Sequence, residues 1–191
     1  MRKLLASLLL ALPLLAGTPK PRVEITTSMG SITVELEATA TPLTVANFLK
    51  YVHKGQYDGT IFHRVKPSGP GMIQGGGHLP DLSKKATEGT IKNEAELAKK
   101  AGLSNVRGTI AMARESLPDS AKAQFYINVR NNVSLDFTAR TLNDFGYCVF
   151  GKVVKGMNVV DKIGAVKTGT MGGMADVPLN PVTIISVKEL K

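Results

Sequence analysis

The fold of this chain is indicated first by residues 62–77, which read FHRVKPSGPGMIQGGG. Apolar segments at 60–65 and 72–74 are separated here by a loop rich in proline and glycine, as is typical of two β-strands joined by a turn. Similar short segments, bounded by glycine, proline or polar residues, recur along the chain and predict further strands. They cover 23–27, 32–37, 109–113, 124–129, 147–154 and 182–187.

Two segments break this pattern and predict helices. Thr41 and Pro42 form a helix start, with a hydroxyl that can cap the first turn and a proline that fits within it. An apolar stripe at i, i+3, i+4 and i+7 follows before Gly55, which is placed to end the helix. The stripe consists of Val45, Phe48, Leu49 and Val52. A second helix is predicted over 157–163, and a further helical turn is expected within 94–101.

Seven or eight short strands with two helices favour a mainly β fold, a closed antiparallel β-barrel. Closure of the sheet would also remove the exposed edges that an open sheet leaves. The length of 191 residues and an apolar content of 43% suit one folded domain. No internal repeat or linker divides the chain.

The first residues have the composition of a secretory signal peptide. A basic start, Met1-Arg2-Lys3, precedes thirteen residues rich in leucine and alanine at 4–16. This run is shorter than the ~20 residues that span a bilayer, so a cleaved signal over residues 1–17 is predicted. We therefore expect a periplasmic or secreted protein with no stable membrane insertion after cleavage. The alternative is an uncleaved membrane anchor.

The charge of the chain raises the question of a nucleic-acid partner. Lysine and arginine number 24 against 15 acidic residues, which gives a formal net charge of +9. The basic residues are spread along the chain, and no arginine stripe with interleaved aromatic residues is present. We therefore expect a solvated basic surface and no nucleic-acid binding.

The sequence also lacks the usual patterns of cofactor, metal and disulfide sites. A single cysteine, Cys148, excludes an internal disulfide and a cysteine-based zinc cluster. The three histidines do not have the spacing of a metal-binding motif. The glycine-rich segments 69–71 and 75–77 match neither the dinucleotide-binding nor the P-loop pattern. We therefore expect no metal and no cofactor.

Five separate segments together resemble a known family. They are FHRV at 62–65, MIQGGG at 72–77, GTIAMAR at 108–114, QFYIN at 124–128 and YCVFGKV at 147–153. In this order they are similar to the cyclophilin-type peptidyl-prolyl cis-trans isomerases, with a KNEA stretch at 92–95 that resembles the bacterial exported (periplasmic) members. The resemblance implies an isomerase domain over 22–191 that assists the folding of exported proteins. It also implies an eight-stranded antiparallel barrel capped by two α-helices.

The resemblance assigns catalysis to Arg64 and Gln74. Rotation about an X–Pro bond meets a barrier of roughly 18–20 kcal/mol, because the nitrogen shares its lone pair with the carbonyl. In the twisted transition state this sharing is lost, and the prolyl nitrogen can accept a hydrogen bond. Arginine stays protonated and offers several N–H donors for that purpose. Gln74 is expected to orient Arg64 and to hold the substrate backbone.

The resemblance also implies a binding pocket for the proline ring. The main-chain N–H of Arg114 would bind the carbonyl preceding proline, with Ala113 beside it in the binding set. His63 and Tyr147 would lie at the rim of the pocket. The apolar wall is expected from Met72, Phe125, Tyr126 and Leu135. For Phe125, a place in the barrel core is the alternative.

Three positions depart from the family pattern. The loop at 66–71 is longer than usual and places Gly71 where a phenylalanine is expected, while Tyr126 replaces a second phenylalanine. Ser134 stands where cyclosporin-binding members have tryptophan. Loss of an aromatic wall removes on the order of 1–3 kcal/mol of apolar contact. These departures predict a weakened isomerase that is poorly sensitive to cyclosporin.

Two functions remain open from the sequence. The first is an isomerase that acts on proline-containing unfolded or flexible polypeptides and is expected to be a monomer. The second is a weakly active or non-catalytic module of the same fold, which binds proline peptides as a chaperone. Removal of the Arg64 side chain would distinguish a catalytic role from a binding role.

Overall fold

The computed structural model describes residues 20–191, so the predicted signal peptide at 1–17 lies outside the described residues. The fold of the described part is mainly β, as predicted. The strands are β1 (Arg22–Thr27), β2 (Gly30–Leu36), β3 (Phe62–Lys66), β4 (Met72–Gly75), β5 (Thr109–Met112), β6 (Phe125–Asn128), β7 (Val149–Lys155), β8 (Thr168–Met171), β9 (Met174–Pro178) and β10 (Ile184–Leu190). The α-helices are α1 (Pro42–His53), α2 (Ala95–Lys100) and α3 (Met157–Gly164), and short 3-10 helices cover Pro118–Ser120 and Val133–Leu135.

Eight of these strands form one antiparallel sheet in the order β10-β1-β2-β7-β5-β6-β4-β3. The two ends of the sheet meet at an antiparallel bridge between Ile61 and Thr183. Beside this bridge, the main-chain N–H of Phe62 donates to the main-chain oxygen of Val182 over 2.9 Å. The prediction of an eight-stranded antiparallel barrel is therefore confirmed.

Strands β8 and β9 form a separate hairpin that the sequence analysis did not predict. Their sequences, TGTM and MADVP, do not alternate apolar with polar residues and contain few β-branched apolar side chains. Strand β9 nevertheless packs against β3 of the barrel. The hairpin therefore lies next to the strand that carries Arg64.

The core of the barrel follows from the alternation of side chains along the strands. In β1 and β2 every second residue is buried, as expected for strands with one face on the core. Helix α1 packs against β10 and buries Val45, Phe48 and Val52 from the predicted stripe, while Leu49 is partly buried. None of the helices within residues 20–191 combines the length and the apolar character needed to cross a membrane.

The start of α1 is held by a residue that lies far away in the sequence. The Thr41 hydroxyl was expected to cap the helix, but it donates to the main-chain oxygen of Glu37 over 3.1 Å. The buried carboxylate of Glu94 accepts hydrogen bonds from the main-chain N–H groups of Leu43 (3.1 Å) and Thr44 (2.8 Å). A carboxylate satisfies free N–H groups at a helix start and favours the positive end of the helix dipole. The expected hydroxyl cap is therefore wrong, and Glu94 fastens the α2 segment to the barrel.

Candidate active site

The register of the barrel strands brings the predicted catalytic residues into one row. Arg64 on β3 pairs with Gln74 on β4, and Gln74 pairs with Tyr126 on β6. Directly opposed residues on neighbouring strands present their side chains to the same face of the sheet. The adjacent residues Val65 and Ile73 are fully buried in the barrel core. The row of Arg64, Gln74 and Tyr126 therefore lies on the opposite face, away from the core.

A pocket with a volume of about 270 Å³ lies over this row. Part of its wall is apolar, because Met72, Tyr126, Leu135 and Tyr147 belong to a small hydrophobic cluster separate from the barrel core. The Arg64 side chain is 43% exposed, so its guanidinium is available to a bound molecule. The complete lining is Arg64, Lys66, Pro70, Met72, Gln74, Ala113, Arg114, Tyr126, Leu135 and Tyr147.

A second hollow of about 90 Å³ adjoins the pocket. The two share Gln74, Ala113 and Arg114 as lining residues and so lie side by side, and together they are called the groove. The remaining residues of the second hollow are polar or charged: Glu115, Ser120, Lys122 and Gln124. The groove thus has an apolar end suited to a small ring and a polar end suited to a peptide main chain.

Two of the ten predicted site residues do not line this groove. Phe125 is fully buried and packs edge-on against Phe48 and Tyr57, with ring centroids 5.7 Å and 5.5 Å away. Because Phe125 precedes Tyr126 on β6, its side chain points to the opposite face of the sheet. Phe125 is therefore a residue of the barrel core, which was the alternative prediction for it from the sequence.

His63, which was expected at the rim of the pocket, is buried and is not among the residues that line the groove. It is 5% exposed, and its ring lies 4.2 Å from the equally buried ring of His78. The Nδ1 atoms of both rings are buried and make no hydrogen bond within residues 20–191. Burial, reinforced by the neighbouring His78, lowers the pKa of His63 to about 4. Burial likewise lowers the pKa of His78, so both rings stay neutral near pH 7.

The direct partner of Arg64 is a residue that the sequence analysis missed. The Arg64 Nε donates a hydrogen bond to Oδ2 of Asp176 over 3.4 Å. The Gln74 side chain, which was expected to orient Arg64, instead donates from Nε2 to Oε1 of Gln124 over 3.0 Å. Asp176 lies on β9, in the unpredicted hairpin, and no local sequence pattern points to it. The structure therefore assigns the contact with Arg64 to a distant carboxylate.

The hydroxyl of Tyr126 points away from the pocket and into a buried polar network. It donates a hydrogen bond to Oδ1 of Asn105 over 2.7 Å. Asn105 in turn donates from its main-chain N–H to the Asp136 carboxylate over 2.7 Å. Burial alone would raise the pKa of Asp136, but hydrogen bonds from Ser104 and Asn105 outweigh it and lower that pKa. The ring of Tyr126 thus lines the pocket, while its hydroxyl binds the buried polar network around Asn105.

Replacement of Tyr126 by phenylalanine is expected to lower stability and spare activity. The variant leaves the Asn105 oxygen without its shortest donor, which costs about 1 kcal/mol of unfolding free energy. The aromatic wall stays in place, so kcat/KM for a proline peptide should stay within about twofold. Urea unfolding and an isomerisation assay measure the two effects. A large loss of activity at unchanged stability would contradict this division of roles.

Arg114 is fixed beside the groove by several contacts of its side chain. Its guanidinium lies over the Tyr147 ring, 4.7 Å from the centroid. It also donates hydrogen bonds to the main-chain oxygens of Gly146 (3.0 Å) and Glu115 (2.9 Å). The main-chain N–H of Arg114 makes no hydrogen bond with any residue in the described range. That N–H is therefore free to bind a carbonyl in the groove.

The altered loop at 66–71 does not leave the pocket without an apolar wall. A Cβ atom on Gly71 would lie 3.1 Å from side-chain atoms of Val129 and Arg130, which are not part of the pocket. Pro70, the preceding residue, lines the pocket instead. Ser134 is exposed on the 3-10 helix that also carries Leu135. The poor sensitivity to cyclosporin, which was inferred from Ser134, stays a prediction.

The groove offers neither a metal cluster nor a nucleophilic thiol. Among residues 20–191, no group of three or more histidine, cysteine, aspartate or glutamate side chains is arranged to hold a metal ion. Cys148 is buried beside Thr44, and this burial raises the pKa of its thiol to about 12. The residues that do line the groove supply charged groups, hydrogen-bonding groups and apolar surface.

Comparison with known proteins shows the family of the chain. The family model described as cyclophilin type peptidyl-prolyl cis-trans isomerase matches residues 22–189. The chain is 50% identical over 179 residues to peptidyl-prolyl cis-trans isomerase A of Dickeya dadantii, covering 94% of this chain and 90% of that protein. It is also 50% identical over 161 residues to peptidyl-prolyl cis-trans isomerase B of Escherichia coli, covering 84% and 94% respectively.

A solved structure from a more distant relative shares the fold. A cyclophilin-type isomerase of Cryptosporidium parvum, determined in the presence of the dipeptide Ala-Pro, superposes with a TM-score of 0.70 at 24% identity. The superposition covers 89% of this chain and 99% of that one. The sequence relatives, the family model and the barrel agree, and the chain belongs to the cyclophilin-type peptidyl-prolyl cis-trans isomerases.

Proposed function

We propose that this isomerase accelerates rotation about X–Pro bonds through a hydrogen bond from the Arg64 guanidinium to the prolyl nitrogen. The observation that carries this proposal is a half-exposed guanidinium in the lining of a partly apolar pocket. The planar ground state leaves the prolyl nitrogen a poor acceptor, whereas the twisted transition state frees its lone pair. A donor held at that place therefore stabilises the transition state more than the substrate, which lowers the barrier.

The neighbouring residues suit the rest of the substrate. Met72, Tyr126 and Leu135 provide the apolar surface on which a proline ring would rest. The free main-chain N–H of Arg114 is proposed to hold the carbonyl that precedes proline. With the proline ring and the preceding carbonyl bound in this way, the prolyl nitrogen stays within reach of Arg64 while the X–Pro bond rotates.

The proposed substrates are proline-containing unfolded or flexible polypeptides, bound by a monomer. The two hollows of the groove adjoin at Gln74, Ala113 and Arg114, and the second hollow is the proposed site for the main chain of a longer peptide. The Cryptosporidium parvum relative, determined with Ala-Pro, supports the choice of ligand. The basic, leucine-rich start of the chain supports export, so the proposed clients are proteins that fold outside the cytoplasm. N-terminal sequencing of the mature protein tests the cleavage after residue 16 or 17.

Exchange NMR on a short X–Pro peptide tests the proposed function. Catalytic amounts of purified protein should raise the rate of cis-trans exchange, and the peptide should shift the amide resonances of Ala113 and Tyr147 in the groove. An unchanged exchange rate together with these shifts would contradict the catalytic proposal. It would favour the second function open from the sequence, a proline-peptide binding module.

A further inference from the structure

The β8–β9 hairpin places a carboxylate next to the catalytic arginine from outside the barrel. β9 packs along β3, and Oδ2 of Asp176 lies 3.4 Å from Nε of Arg64. The two residues are 112 positions apart, so the contact depends on the docking of the hairpin. Val177 and Pro178, which follow Asp176, are buried and fasten this end of β9. The hairpin thus holds the carboxylate at a defined place beside the groove.

The backbone at Asp176 has a conformation that few residues adopt. Its φ angle is +63°, in the left-handed region. Aspartate and asparagine tolerate this region better than other residues with a side chain, and glycine tolerates it best. From this backbone conformation the short side chain of Asp176 reaches Nε of Arg64. The local backbone thus restricts the residue types that fit at position 176.

We propose that Asp176 is a positioning residue for catalysis, because its carboxylate holds Nε of Arg64 and fixes the plane of the guanidinium. This inference rests on the proposed role of Arg64. With Nε engaged by Asp176, the two terminal nitrogens are left to face the substrate. The side chains are 43% and 33% exposed, so water screens their attraction and orientation is the main effect of the pair.

Variants of Asp176 test this proposal through kcat. Asp176→Gly keeps the backbone conformation and removes the carboxylate, and we expect kcat to fall about tenfold with KM nearly unchanged. Asp176→Asn keeps an acceptor oxygen but loses the charge, and we expect a smaller fall of about threefold. The matched control is Asp161→Asn, which alters the exposed Arg107–Asp161 pair, neither member of which lines the groove, and should not change kcat.

Two further measurements separate positioning from a structural effect. In an Arg64→Ala background, Asp176→Gly should change kcat by less than about twofold, because its target is absent. The NMR signal of the Arg64 Nε–H group should exchange with water faster in Asp176→Gly than in the wild type. Thermal unfolding checks that the variants fold. If Asp176→Gly does not fold, the kcat of Asp176→Asn still tests the proposal.

Different results overturn different statements. Wild-type kcat in Asp176→Asn and in any folded Asp176→Gly would overturn the positioning role and leave the role of Arg64 intact. An equal loss from Asp176→Gly with and without Arg64 would overturn it as well, because the effect would not pass through the arginine. Wild-type activity in Arg64→Ala alone would instead refute the proposed mechanism itself.

Discussion

Arg64→Ala is expected to lower kcat by about 10²- to 10³-fold, the size of effect seen when a donor aimed at the transition state is removed. In the proposed mechanism this hydrogen bond forms only when the prolyl nitrogen leaves conjugation, so substrate binding should change little. Peptide affinity is therefore expected to stay within about threefold of the wild-type value. Exchange NMR gives the rate, and a titration followed by groove amide shifts gives the dissociation constant.

The Arg107–Asp161 pair provides a matched control for this variant. Arg107 is 46% exposed and pairs with an aspartate, as Arg64 does, but it does not line the groove. Arg107→Ala removes the same charge and should keep the wild-type rate. An equal loss in both arginine variants would point to the overall charge of the protein. A rate for Arg64→Ala close to that of the wild type would exclude the guanidinium as the catalytic group.

Acid is expected to destabilise the fold through the buried pair of His63 and His78. The folded protein holds the pKa of His63 at about 4, whereas the ordinary value is 6.5. Between these two pKa values, His63 is protonated in the unfolded chain but neutral in the folded chain. The free energy of unfolding therefore falls as the pH drops below 6.5. His63 alone should remove about 2 kcal/mol of unfolding free energy between about pH 7.5 and about pH 5. The loss should level off below the folded pKa.

Urea unfolding at the two pH values measures this loss, and two variants locate it. His63→Gln removes the imidazole whose pKa is lowered by folding, so the unfolding free energy of this variant should depend less on pH. His53→Gln is the control, because His53 is 60% exposed and contacts Glu189 at the surface. It should keep the full acid loss. A wild-type stability that is equal at both pH values would refute the prediction, and so would an unchanged loss in His63→Gln.

Much of the barrel could be predicted from the local pattern of apolar residues in the sequence. Strands such as β1 and β2 carry an alternation that fixes which side chains face the core, and the stripe on α1 marks its buried side. The β8–β9 hairpin has no such pattern, since Val177 and Pro178 are the only buried residues of its two strands. The capping of α1 by Glu94 was also hidden, because the two elements are about 50 residues apart.

The sequence by itself determined the barrel class, the family and the segments that carry the site, because these depend on apolar periodicity and on motifs within short stretches. Only the tertiary structure decided which face each site residue presents. Phe125 and Tyr126 are neighbours with similar rings, yet strand pairing sends one into the core and the other into the pocket. The contact of Arg64 with Asp176 is likewise a product of folding, because a hydrogen bond between distant residues depends on how whole elements pack and leaves no periodic trace in the chain.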